Sequence, residues 1–182
     1  LYLKTLIAKK DIQGIEKTFD KALEVFGNDV VIWQLYLSAL AYTRGIGDAY
    51  SMQRASEAYK LYSENENVFK LYKILTYGQT RVDQAVKLGQ EGIKLYNDKQ
   101  FSEAFSKFQE ASNKDPIDPV YALNAGFSMY ELRQYQNAIK LFNLVIPTRH
   151  NNDHVLRAMR YKALSLLNLN KRQEACQVFD KL

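Results

Sequence analysis

Residues 85–118, AVKLGQEGIKLYNDKQFSEAFSKFQEASNKDPID, decide the fold, because sliding them forward by 34 positions lays them on a second copy of their own pattern. Gly92 falls on Gly126, Tyr96 on Tyr130, Phe101 on Tyr135, Ala104 on Ala138, Phe108 on Phe142 and Ala111 on Val145. A further offset of 37 carries Ala138 to Ala175 and Phe142 to Phe179, with the three extra residues expected in a polar loop over Pro147 to Val155. Self-similarity at such a spacing marks stacked supersecondary units, each too small to bury its own apolar face. Small residues belong where two helices cross closely, and large aromatic residues fill the space between neighbouring pairs.

This pattern resembles the tetratricopeptide repeat, in which a small residue, an aromatic, an Ala, an aromatic, an Ala and a closing Pro recur. Gly92, Phe101, Ala104, Phe108, Ala111 and Pro116 match all six positions. The next copy has Gly126, Tyr135, Ala138, Phe142 and Val145, with His150 where the Pro would stand; the third has Ala163, Ala175 and Phe179, with Arg172 at the first aromatic position. The resemblance implies three repeats, 85–118, 119–155 and 156–182. Before them, Ile15, Phe19 and Ala22, the Gly27-Asn28-Asp29 break and Trp33-x-x-Tyr36 resemble a degenerate tetratricopeptide repeat or its relative, the half-a-tetratricopeptide (HAT) repeat of RNA-processing scaffolds, although that relative's acidic residue is missing around Ala39 and Leu40. Residues 1–84 are thus expected to form degenerate repeats continuous with 85–182 in one solenoid, with 66–97 read as an atypical helix followed by a long one.

Outside the repeat the periodicity agrees. Ile12, Ile15, Phe19, Leu23 and Phe26 recur at three and four, and eight Gly and three Pro are too few to punctuate a strand-rich fold. Breaks at 27–29, 45–48, 63–67, 97–98, 113–119, 133–134, 147–153 and 168–171 separate helices, and Asp48 and Asp118 are placed to cap two of them. The expected fold is all-α: a right-handed α-α superhelix, tetratricopeptide-like, of about nine to eleven antiparallel helices.

The composition, 47% hydrophobic and 25% charged, is that of a folded domain, and no apolar run reaches membrane-spanning length. A start at Leu1 without a signal pattern reads as a trimmed chain or mature fragment. A single cysteine, Cys176, excludes an intramolecular disulfide but leaves the compartment open. The net charge of +5 is modest for a nucleic-acid binder and concentrates late: Arg149, Arg157, Arg160, Lys162, Lys171 and Arg172 are accompanied only by Asp153 between the first and last of them.

Catalytic and cofactor signals are absent. Gly45-Ile46-Gly47 lacks the strand and the GK[ST] of a phosphate loop and reads as an interhelical turn. His150, Asp153 and His154 could ligate a metal only on a helix, and the surrounding asparagines with Pro147 point to a loop. Cys176 has no His partner for nucleophilic chemistry. The expectation is a non-enzyme with no cofactor and no metal.

If the first helix of each pair lines a concave face, its inward positions are Gln90, Ile93, Asn97, Asn124, Phe127, Tyr130, Glu131, Arg157, Arg160, Tyr161, Leu164 and Asn168. Amides match a peptide backbone, aromatic faces take side chains, and Arg forks onto carboxylates. The expected function is a protein-interaction module or scaffold that holds a peptide or partner helix with acidic and apolar residues, within a larger assembly or homo-oligomer. One variant of the family grips the C-terminal carboxylate of chaperones with five residues; their positions here hold Gly89, Ile93, Asn124, Arg157 and Tyr161, of which two are suited, so that clamp is not implied. The alternatives are an RNA-associated scaffold, suggested by the basic pI and Trp33/Tyr36 but opposed by 20 acidic residues, and an array assembling through its open ends.

Overall fold

A computed structural model describes residues 2–148 and 152–182, and among these every regular element is helical. The eleven helices are α1 (Tyr2–Ala8), α2 (Ile12–Phe26), α3 (Val30–Thr43), α4 (Ala49–Leu61), α5 (Glu66–Tyr77), α6 (Gln79–Asn97), α7 (Phe101–Lys114), α8 (Pro119–Glu131), α9 (Tyr135–Val145), α10 (Asn152–Asn168) and α11 (Arg172–Phe179). They fall into two compact units, residues 1–79 and 80–182. The stretch 66–97 forms two helices, α5 and the 19-residue α6, as its irregular spacing implied.

Side-chain caps define many helix starts. Asp11, Asp29, Asp48, Asn65 and Asp118 each accept hydrogen bonds from first-turn amides that have no partner within the helix. Pro119 opens α8, where its missing N–H costs nothing. The loop expected over Pro147 to Val155 is shorter than that: α10 begins at Asn152, and Asp153 sits in its first turn, where a carboxylate favours the helix dipole. Arg149 and His150 lie outside the described residues. Among those described, no three potential metal ligands cluster.

One turn recurs through both units. Lys10, Lys99, Arg133 and Asn170 all have φ between 52° and 61°, and the last three follow one another at the same 34- and 37-residue offsets as the repeat. In each, two amides close the helix end: Gln100 N–H reaches Leu95 O and Lys99 N–H reaches Tyr96 O, with Gln134/Met129 and Arg133/Tyr130 doing the same one repeat later. This is the Schellman closure, which ordinarily carries glycine because a Cβ is strained at positive φ. Arg133→Gly is therefore expected to stabilise the chain by about 0.5 to 1 kcal/mol, relief of strain outweighing the added flexibility of the unfolded chain. A chemical-denaturation midpoint that falls instead would show that the Arg133 side chain holds the turn.

In the first unit, α1 packs on α2 and α3, and α5 packs on both α3 and α4. The core centres on Ile15, Phe19, Trp33, Tyr36, Leu37 and Leu40, all almost fully buried. Phe19 stacks on Tyr36 with ring centroids 4.6 Å apart, and the Tyr36 hydroxyl lies 2.8 Å from that of Tyr50. Beside this core, the Arg54 guanidinium sits 4.9 Å from the Trp33 ring and 5.2 Å from that of Tyr36 while pairing with Asp20 and Glu57. Arg44 pairs with Glu16 and Asp48, tying α2 to the turn before α4.

The second unit is the regular one. Helix α8 packs between α7 and α9, and α10 packs on α8, α9 and α11. Ala104, Ala111, Ala138 and Ala175 are fully buried, as expected of residues at close crossings. Gly92 and Gly126 approach closer still: a Cβ on Gly92 would lie 2.6 Å from Phe108 Cε1, and one on Gly126 would lie 2.5 Å from Phe142 Cε1. Each glycine thus makes room for the aromatic ring 16 residues later, which explains why both pairs return at one offset.

Candidate functional site

Within the second unit, α6, α8 and α10, with Phe108 of α7, open a cavity of about 420 Å³ lined by Ile93, Tyr96, Asn97, Phe108, Asn124, Phe127, Arg157 and Tyr161. This volume lies in the range of pockets that receive a small ligand or a few side chains. Of the twelve inward positions singled out from the sequence, Ile93, Asn97, Asn124, Phe127, Arg157 and Tyr161 line it.

The other six do not. Gln90, Glu131 and Arg160 are exposed outside the cavity, and Leu164 is half-buried away from its lining. Asn168 donates to the Leu164 carbonyl and shares a hydrogen bond with the Tyr130 side chain, so its amide is committed. Tyr130 packs against Tyr135 and Tyr161 and supports the wall from behind. Tyr96 and Phe108 line the cavity but carried only the expectation of core packing. Tyr96 is three residues beyond Ile93 on one helix, a spacing that puts both on one face. That signal was present in the sequence, and it was hidden because Tyr96 also occupies a repeat position.

The floor is aromatic. Phe127 and Tyr161 have ring centroids 4.6 Å apart, Tyr130 meets Tyr161 edge-on at 5.1 Å, and Phe142 lies beneath at 5.7 Å from Phe127. Over this cluster the Arg157 guanidinium sits 4.9 Å from the Phe127 ring, a cation-π contact that holds the charge in place without neutralising it. Among the described residues Arg157 has no ion pair, and the side-chain amides of Asn97 and Asn124 make no side-chain hydrogen bond. The polar wall is therefore uncommitted.

The Tyr96 hydroxyl donates to Glu131 Oε1 over a long 3.4 Å. Burial pushes its pKa up to about 12, with the Glu131 carboxylate and Tyr161 adding to the rise and Arg157 opposing it. Because the folded state holds this proton more tightly than the unfolded chain does, the contribution to stability is complete below pH 10 and is lost as the pH climbs through 12. Tyr36 and Tyr121 are raised in the same direction by burial, so the whole chain is expected to weaken in alkali. Tyr96→Phe should make the decline shallower in pH-dependent thermal melts, and an unchanged slope would show that Tyr96 titrates as it does in water.

No family model matches the chain, and no curated protein matches it. Among solved structures it is similar to one described as the crystal structure of MamA protein, at a TM-score of 0.50 and 15% identity, over 99% of this chain and 87% of that one. At this identity the likeness concerns the fold alone: an all-α, tetratricopeptide-like arrangement of antiparallel helices, as the repeat spacing implied.

Proposed function

We propose that the chain is a non-catalytic interaction module of the tetratricopeptide type, whose repeats 85–118, 119–155 and 156–182 hold a peptide or partner helix in the cavity between α6, α8 and α10. The observation that carries this reading is the cavity's uncommitted wall: two Asn amides and one unpaired Arg over an aromatic floor. Amides present both donors and acceptors to a passing backbone, the rings of Phe127 and Tyr161 take apolar side chains, and Arg157 favours an acidic residue or a free carboxylate.

Arg157 and Arg160 follow on the same helix, and both are exposed. Such charges steer an oppositely charged partner more than they add affinity. The test is capture and identification of partners by the intact chain and by an Asn124→Ala/Arg157→Ala variant, followed by stopped-flow binding of the partner recovered. Reversal of Arg157 and Arg160 to Glu should slow association and flatten its salt dependence while the helical circular dichroism stays unchanged. A partner that binds the reversed variant at the same rate and with the same salt slope would move the site away from this cavity.

A further inference from the structure

Building on the reading that this cavity holds a peptide, we infer that the site is polarised: it selects a segment that carries both an acidic and a basic group beside one apolar anchor. The residues lining the cavity supply one side of that polarity. Arg157 is its cation, stacked on Phe127 and without a carboxylate partner among the described residues. The other side comes from Glu131, the last residue of α8, exposed and likewise without an ion pair among the described residues.

Glu131 touches the cavity through Tyr96, whose ring lines the wall and whose hydroxyl lies 3.4 Å from Glu131 Oε1. That distance is beyond the usual range for a hydroxyl donor, so the carboxylate keeps most of its capacity to accept from something else. The Tyr96 hydroxyl is also within electrostatic reach of Arg157, which acts on it with the opposite sign to Glu131. An anion and a cation therefore address one wall of one opening.

No ion pair joins the two among the described residues, and the aromatic floor holds the cation in place. Arg157 is held over Phe127, and Phe127 is itself fixed by Tyr161 and Phe142. Both charges remain available to a ligand. A segment acidic throughout would satisfy Arg157 and set a carboxylate against Glu131; a segment basic throughout would do the reverse. Only a mixed segment meets both without a like-charge contact, and discrimination of this kind comes as much from rejecting the wrong partner as from attracting the right one.

The test uses synthetic eight-residue peptides with one central Leu or Phe and flanks that are acidic then basic, basic then acidic, acidic on both sides, basic on both sides, or Gln/Ser throughout. Fluorescence anisotropy with the full chain is expected to show one mixed order binding at least tenfold more tightly than the all-acidic peptide. Glu131→Gln should remove that advantage, and Glu131→Lys should invert it in favour of the all-acidic peptide. A Lys at a helix C-terminus is favoured by the dipole, so the variant should fold, and a thermal melt verifies that it does. If the all-acidic peptide binds the parent chain as tightly as either mixed order, or Glu131→Lys leaves the ranking unchanged, while Arg157→Glu abolishes binding, the polarity is wrong and the peptide site stands. If no peptide class binds, or Arg157→Glu changes nothing, the peptide site falls and the polarity with it.

Discussion

Truncation of Phe142 to Ala is expected to cost about 3 to 5 kcal/mol, the range for deleting a buried aromatic side chain that its neighbours cannot replace. The ring is fully buried and faces Gly126 at a distance where even one Cβ would clash. Collapse into the void is resisted from both sides: Gly126 has no side chain to move inward, and Phe127 and Tyr161 are held by their own ring contacts. Because those two rings form the cavity floor, the same variant should also lose any ligand the cavity binds. Urea denaturation followed by far-UV circular dichroism measures the first effect. A loss under about 1 kcal/mol would mean that the aromatic-over-glycine packing is not what fixes the spacing of α8 and α9.

Arg54→Ala is the second large effect, expected at about 2 to 3 kcal/mol, and its origin differs. The ion pairs with Asp20 and Glu57 are partly exposed and contribute little each, since solvent screens them. Most of the loss comes from the guanidinium plane leaving the faces of Trp33 and Tyr36 and from its aliphatic stem leaving the core edge. Two controls separate these origins. Arg54→Lys keeps the charge and loses the planar stacking, so it should restore less than half of the stability. High salt should change the parent chain little. If Lys restores nearly everything, or molar salt reproduces the loss, the ion pairs dominate and this account of the first unit is wrong.

Much of this was legible in the sequence because stacking one unit on another forces the same residue types to return at the same interval. Gly92 with Phe108 and Gly126 with Phe142 are a single geometric requirement met twice, so an offset comparison finds them. The Schellman turns were less visible. Three of the four carry Lys or Arg where glycine would have announced the positive φ. The first unit was read more coarsely, since its helices are held by pairings such as Arg54 with Asp20 and Arg44 with Glu16, which join residues 34 and 28 apart without a repeated mark.

The candidate site was half legible for a related reason. Asn97, Asn124 and Arg157 stand out because they are polar on the first helices of their pairs, and each reached the cavity. Tyr96 and Phe108 did not stand out, because one residue can fill a repeat position with part of its ring and line an opening with the rest. Asn168 failed in the opposite way. Its register is right, but the end of α10 offers it the Leu164 carbonyl, and a short polar side chain takes the nearest backbone partner.

Trp33 gives the chain a built-in optical marker. It is the only tryptophan in the sequence, it is 3% exposed, and its indole N–H has no hydrogen-bond partner among the described residues. An indole so shielded should emit to the blue and shift to the red when the 1–79 unit opens. The cavity in 80–182 is lined by phenylalanine and tyrosine, which tryptophan-selective excitation does not see. One fluorescence channel therefore reports the integrity of the first unit separately from events at the cavity, with no label attached.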